Sequence, residues 1–227
     1  MRCLYCHDVI KEEITLITLF TKNEPLCLTC RAALSFKYPG ERCGRCHQLV
    51  RKKADICADC HVLIDLYPAV NKIYTATDYN EEIKMLMHRY KFVKDYALSE
   101  VLALLISFNF KCYDYVVPIP VSSARLKERT YNQTSAVMRA AGVTYTNMLG
   151  TGKMKRQSEL LKHERLSSTN PFYLLENVKD MSLSGKSVLI ADDIYTTGIT
   201  VHQAADVIKD INFQNIDVFT FSKTQHI

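Results

Sequence analysis

The sequence predicts an α/β protein in which a mainly parallel sheet is flanked by helices, with a cysteine-rich metal-binding module at the N-terminal end. Three observations carry this prediction. From about residue 70 onward, stretches of strand character alternate with stretches of helical period. One apolar run, "VLIA" at residues 188–191, stops at two adjacent acids, Asp192 and Asp193. A buried parallel strand ends in this way where its carboxyl end opens on a ligand site. Finally, eight of the nine cysteines fall within the first sixty residues, as four CxxC pairs.

The elements follow in order. "NKIYTATDY" reads as a strand. "EEIKMLMHRY" places Ile83, Leu86, Met87 and Tyr90 on one helical face. "YALSEVLALLISF" is apolar nearly all round and reads as a buried helix. "YDYVVPIP" is a short apolar run closed by prolines, a buried strand ending in a shaped loop. "NQTSAVMRAAG" is a helix stopped by Gly142. "VTYTNML" and "SVLIA" read as strands. "TVHQAADVIKDI" is a helix with Val201, Ala204, Ala205, Ile208 and Ile211 on one face, and "IDVFTFS" is the last strand. The change in composition sets the expected boundary, with a cysteine-rich module at residues 1–65 and the α/β domain at 66–227.

The cysteine pairs are Cys3/Cys6, Cys27/Cys30, Cys43/Cys46 and Cys57/Cys60, and Cys112 stands apart. A CxxC knuckle supplies two soft ligands from one tight turn, and two knuckles complete a zinc tetrahedron. One or two structural zinc ions are expected. The spacing allows either serial or interleaved pairing. Four thiolates leave no open position for water, so the metal is expected to be structural, and a module this small depends on it to fold. His7, His47 and His61 each follow a knuckle cysteine. With cysteines in surplus, they are expected outside the ligand set.

The formal charge is +5. A divalent ion held by four thiolates subtracts two charges, so two such centres bring the total to +1. Overall charge therefore says little about a polyanionic partner, and local clusters must carry that argument. The longest apolar run, "VLALLISFNF", is about half of the roughly 20 residues a membrane span needs. "MRCLYC" has no apolar signal core. A cytoplasmic protein is expected.

The segment from Tyr195 to Thr200 follows the acid pair and precedes a helix. Backbone N–H groups there, with the hydroxyls of Thr196, Thr197 and Thr200, offer a phosphate cradle, and Gly198 permits the turn. Carboxylates beside a phosphate repel it unless they hold sugar hydroxyls or Mg²⁺. Adjacent residues of an extended chain face opposite sides, so Asp192 and Asp193 are expected to do different jobs. The combination suits a ribose phosphate.

This segment resembles the phosphoribosyl pyrophosphate motif of type I phosphoribosyltransferases, in which apolar residues precede two acids and a T-T-G-x-T loop. The resemblance implies a type I phosphoribosyltransferase-like fold. It places Asp192 and Asp193 on the ribose hydroxyls as the catalytic pair, and Thr196, Thr197, Gly198 and Thr200 on the 5-phosphate, with Mg²⁺ accompanying the ligand. Ile199 departs from the small residue usual there. Further stretches resemble the ComF family of competence proteins. "VVPIPVSSARLKERTYNQ" is similar to the family's V-P-x-P strand end followed by R-L-x-E-R-G-F-N-Q, with Thr130 in place of glycine and Tyr131 in place of phenylalanine. "MHRYKFVKDYAL" resembles L-K-Y-x-G-D, with Lys91 matching the lysine and Lys94 standing where glycine is common. "KRQSELLKHERLSSTNPF" resembles the family's flexible loop at Gln157, Leu160, Arg165, Asn170 and Phe172. The cysteine module ahead of this domain is also the family's layout.

Two basic clusters flank the motif: Arg125, Lys127 and Arg129, and Lys153, Lys155 and Arg156. Cations converging on a pyrophosphate leaving group stabilise charge that develops as the sugar bond breaks. Arg125, Arg129 and Lys91 are therefore expected among the ligands of phosphoribosyl pyrophosphate. The family resemblance implies a role in natural transformation. The protein would handle incoming single-stranded DNA beside a helicase-like partner, at the inner face of the membrane where the uptake machinery delivers it. Tyr131 and Tyr195, close to basic residues, are candidates for stacking on bases. Two other roles stay open: active transfer of phosphoribose to an unknown acceptor, and silent sensing of phosphoribosyl pyrophosphate.

Overall fold

The computed structural model describes residues 1–10, 24–51, 56–152 and 170–225. Its centre is a four-stranded sheet in the order β1-β6-β5-β2, with β1 at Ile73–Asp78, β2 at Tyr115–Pro118, β5 at Ser187–Tyr195 and β6 at Asn215–Lys223. Every neighbouring pair is parallel. Two short strands, β3 (Leu149–Thr151) and β4 (Phe172–Leu174), form a separate antiparallel pair. The helices are α1 (Leu28–Leu34), α2 (Ala58–Leu66), α3 (Glu81–His88), α4 (Leu98–Leu104), α5 (Ser123–Arg129), α6 (Gln133–Ala140) and α7 (Ile199–Ile208). Parallel strands need crossovers, and the helices between them bury both faces of the sheet.

The two faces carry separate cores. Val188 and Ile190 of β5 pack in one core and Leu189 and Ala191 in the other, as the two-residue period of a strand requires. The expected face of α3 is buried: Ile83, Leu86, Met87 and Tyr90 all lie in the second core. Val201, Ala204, Ala205 and Ile208 of α7 lie in the first, with Ile211 packed at its edge. Each core also takes in part of the cysteine-rich region. Cys43, Cys46, Cys57 and Cys60 join the first core, and Cys3, Leu26, Cys30 and Leu34 the second.

Two expectations are corrected. Residues 143–148 are not a strand. The chain there makes one backbone bond to the sheet, from the Thr146 N–H to the Val116 carbonyl, and pairs as a strand only from Leu149. The all-apolar helix is also shorter than its run of residues, because α4 ends at Leu104. The apolar residues beyond it instead form a cluster with the sheet, in which Phe108 lies 5.1 Å from Phe219, centroid to centroid. The predicted flexible-loop matches Gln157, Leu160 and Arg165, and the cluster Lys153, Lys155 and Arg156, lie outside the described residues. Among the described residues, no helix is long and apolar enough to cross a membrane.

Candidate functional site

The cysteines form two four-sulfur groups in serial order: Cys3, Cys6, Cys27 and Cys30, then Cys43, Cys46, Cys57 and Cys60. Within each group the ligand atoms lie within 4.8 Å of one another, as a tetrahedral metal site needs. The spacing had left serial and interleaved pairing open, and the fold selects the serial one. No histidine joins either group.

The two groups are built alike. An antiparallel bridge closes the first knuckle of each, Arg2 with Val9 and Arg42 with Leu49. The arginine then donates to the carbonyl of the histidine that follows the knuckle, Arg2 to His7 at 2.9 Å and Arg42 to His47 at 3.1 Å. Both histidines adopt a left-handed backbone, with φ of 65° and 58°. They serve the turn, not the metal. In each group the third cysteine precedes a helix, Cys27 for α1 and Cys57 for α2, and its N–H donates to the first cysteine's sulfur at 3.4 and 3.3 Å. Such bonds favour thiolates. The Cys3 thiol is drawn down to about 6 by backbone N–H groups that outweigh its burial. Cys46 is drawn down to about 5, first by a hydrogen bond from Cys60, with the Lys223 ammonium the leading charge acting on it. Burial pushes Cys30 and Cys57 up, and the bond to Cys46 pushes Cys60 up, so one thiolate of each group forms at its fellows' expense until a cation is bound. The donor set suits zinc, which would be held by these eight sulfurs alone.

A cavity of about 560 Å³ opens at the carboxyl ends of β2 and β5. Asp192, Asp193, Thr196, Thr197 and Thr200 line it from β5 and the following loop, Lys91 from the turn after α3, and Arg125 and Arg129 from α5. Three segments far apart in sequence thus bring the predicted residues to one place. Gly198 sits behind the loop at φ +80° and caps α7. A Cβ there would lie 2.2 Å from the Tyr195 hydroxyl, so only glycine fits over that ring. Ile199 lines the cavity from a buried position. Lys127 is exposed and is not part of the lining.

The two aspartates have different partners. Asp193 pairs with Lys91 at 2.5 Å. Asp192 accepts from the Asp193 N–H at 2.8 Å, and burial, then the neighbouring Asp193 charge, pushes its carboxyl up to about 8. A divalent cation or a sugar diol placed between the acids would relieve that repulsion, so the pair fits Mg²⁺ together with a ribose.

The turn carrying Lys91 is a π-helical segment, Arg89–Val93, a distortion frequent at functional sites. It is clamped by the first cysteine lobe. Arg89 donates to the Tyr5 carbonyl at 2.6 Å and pairs with Asp95 at 3.1 Å.

Sequence reasoning missed several lining residues. Gln133 is 1% exposed and accepts from Arg129 at 3.0 Å, while its side-chain N–H₂ has no partner. In the sequence it is only the last residue of the R-L-x-E-R-G-F-N-Q match, and its burial comes from the fold. Phe92, His88, Lys84 and Tyr79 form another wall. Phe92 is 60% exposed, with the Arg129 guanidinium 5.7 Å from its ring centroid. Asn170 and Phe172 of the loop motif are placed: Asn170 donates to the Gln203 carbonyl and accepts from the Phe172 N–H, which brings Phe172 to the cavity. The two tyrosines expected to stack on bases are engaged elsewhere. Tyr195 is buried beneath the loop, and Tyr131 donates to the Tyr90 carbonyl at 2.6 Å and packs against Tyr90 and Tyr96.

No family model matches the chain. Among curated proteins, it is 29% identical over 225 residues to Competence protein ComFC of Streptococcus pneumoniae, covering 97% of this chain and 99% of that one. It is 31% identical over 216 residues to Competence protein ComFC of Bacillus subtilis, covering 89% and 86%. It is 23% identical to the DNA utilization protein YhgH of Salmonella typhimurium, covering 88% and 97%. Among solved structures, the allosteric regulatory enzyme of purine biosynthesis matches at 16% identity and a TM-score of 0.33, over 55% of this chain and 24% of that one, a likeness too slight to carry an argument.

Proposed function

The chain belongs to the ComFC family of competence proteins, and from that premise we propose that its cavity takes phosphoribosyl pyrophosphate with Mg²⁺, in a protein that handles incoming single-stranded DNA at the cytoplasmic end of natural transformation. The observation that carries the ligand is the convergence on one cavity of an acid pair, a threonine loop at a helix N-terminus, and Lys91, Arg125 and Arg129. The loop's N–H groups and hydroxyls suit the 5-phosphate. Asp192 and Asp193 suit the ribose hydroxyls, Lys91 moving from Asp193 to phosphate oxygen as the ligand enters. The arginines suit the pyrophosphate. Mg²⁺, when bound, neutralises the phosphates. The names of the relatives, competence and DNA utilization, support the DNA role, and a helicase-like partner at the membrane's inner face follows from the family resemblance. We likewise assign one structural zinc ion to each four-cysteine group, and retain 1–65 and 66–227 as the functional division of the chain.

A second reading, transfer of phosphoribose, is favoured by the exposed Phe92 ring, which stands 5.2 Å from His88 on the cavity wall. A planar acceptor stacked there would attack ribose C1 as the bond to pyrophosphate breaks and pyrophosphate leaves. Thermal shift separates ligand binding from its absence: phosphoribosyl pyrophosphate with Mg²⁺ should raise the melting temperature, and Asp193→Ala should abolish the rise. No shift in the wild type refutes the ligand. Transformation frequency in a strain carrying Asp192→Ala and Asp193→Ala at normal protein level then tests the role. Undiminished uptake would make the pocket irrelevant to competence.

A further inference from the structure

The second cysteine group differs from the first in its surroundings. All four of its sulfurs are buried, whereas Cys6 and Cys27 of the first group are half-exposed. A divalent ion with four thiolates carries two negative charges, and burying them requires compensation. Two buried cations act on this group: Arg45, at 7% exposure, within the Cys43–Cys46 knuckle, and Lys223, at 3%, whose charge interacts with Cys46, Cys57 and Cys60. Arg45 donates to the carbonyls of Cys60, Val70 and Asn71. Among the described residues neither cation has an ion pair of its own within 4.0 Å, and Asp59 is the carboxylate whose charge acts on Lys223, after those of Cys46, Cys57 and Cys60. The cations near the first group do have acids, Arg31 with Glu24 and Arg89 with Asp95.

Lys223 also faces the phosphate loop. Its ammonium lies 4.1 Å from the centroid of the Tyr195 ring, on which Gly198 rests. Its strand position pairs with Tyr195, and the next residue, Thr224, donates its N–H to the Tyr195 carbonyl at 3.0 Å. One step further, Gln225 accepts from the Leu49 N–H of the second knuckle at 2.8 Å. The end of β6 thus runs between the metal centre and the loop.

We propose that Lys223 couples the two: it is a counter-charge of the second four-thiolate centre and, seated on Tyr195, a positioning residue for the phosphate loop. The state of that centre and the occupancy of the cavity are then linked, each favouring the other by the same factor. The first centre reaches the cavity by another route, the Arg89 bond to the Tyr5 carbonyl beneath the Lys91 turn, and not through Lys223. The loop half of this inference rests on the phosphoribosyl pyrophosphate reading, and the metal half does not.

The test uses the full-length, metal-loaded protein. A metallochromic chelator reports metal release, and alkylation read by mass spectrometry separates the Cys43–Cys60 set from the Cys3–Cys30 set. In wild type, phosphoribosyl pyrophosphate with Mg²⁺ should slow alkylation of the second set by about fivefold or more, and at saturating ligand Lys223→Met should remove that protection without altering the first set's behaviour. Lys223→Met should speed release from the second centre alone and weaken ligand binding about tenfold, while Lys223→Arg retains both. No protection of the second set in a wild type that binds the ligand, or protection that Lys223→Met leaves intact, overturns the coupling. Unchanged release in Lys223→Met overturns the counter-charge. A wild type that takes no ligand refutes the pocket reading and the loop half with it, and the release rates still decide the metal half. If Lys223→Met does not fold, the wild-type protection pattern and Lys223→Arg decide.

Discussion

At the scale of single residues, the two departures from the family pattern that replace glycine fall on strained backbone. Lys94 stands where glycine is common and has φ +63°, and Thr130 replaces a glycine and has φ +70°. A left-handed conformation costs an L-residue about 1–2 kcal/mol, and a β-branched side chain is the worst placed to adopt it. Thr130→Gly should therefore raise stability by about 1 kcal/mol and Lys94→Gly by less, since glycine's greater unfolded-state freedom offsets part of the relief. Urea midpoints check this, and a lower midpoint for Thr130→Gly contradicts it. Asp192 gives a pH prediction. Its carboxyl keeps its proton up to about pH 8 when folded, against a normal value near 3.8. The folded state thus binds more protons across that window, so this group's contribution is full below pH 4 and is lost as pH rises through 8. Asp192→Asn should flatten the decline and melt at least about 4 °C above wild type at pH 9. An unchanged pH profile would mean that the acid is not held protonated. Most of the cavity's polar lining was legible, because an acid pair followed by a threonine loop is a restricted residue pattern. Gln133 and Lys223 were not, because a buried polar side chain is recognised only by the partners that the fold gives it.

At the scale of elements, the phosphate loop is one unit with the ring beneath it. Gly198→Ala places a methyl group into Tyr195 and forces a left-handed alanine. It should cost about 2 kcal/mol or more in stability and eliminate the ligand-induced thermal shift. A variant of wild-type stability would show that the loop moves freely over Tyr195. The strand and helix of this unit were readable from period alone, since Val188–Ala191 and Val201–Ile208 follow the expected spacing. Other elements were not. α5 has no buried residue, so no apolar period marked it; its start is set by Ser122, whose hydroxyl accepts from the Arg125 N–H. Residues 143–148 look β-prone yet lack a strand, because among the described residues they make one backbone bond to β2, and only Met148 at their end meets a second segment, through the Leu175 N–H. The π-helical turn that presents Lys91 had no sequence signature either, being imposed by the clamp of Arg89 on Tyr5 and Asp95.

At the scale of the whole molecule, composition divides the chain near residue 65, but the packing joins the two parts. The first cysteine group shares a core with α3, α4 and α6, and the second shares one with β1, β5 and α7. Each four-cysteine group therefore completes the hydrophobic cover of one face of the sheet. Asp78, fully buried at the end of β1, is held only from the cysteine-rich region and the C-terminal end: Arg42 reaches it at 2.7 Å, the Tyr38 N–H at 2.8 Å and Gln225 at 2.8 Å. Removing residues 1–65 would uncover both cores and leave that carboxylate without its arginine, a loss of about 3–5 kcal/mol for the broken pair alone. A domain's net stability is about 5–15 kcal/mol. A chain beginning at residue 66 should therefore fail to fold cooperatively, and stripping the metal from the intact protein should lower its melting temperature for both faces together. Circular dichroism melts of the truncated and the chelated protein are the measurement. A sharp, reversible transition in the truncated chain would mean that the α/β domain covers its own sheet, with the cysteine lobes docked upon a finished fold.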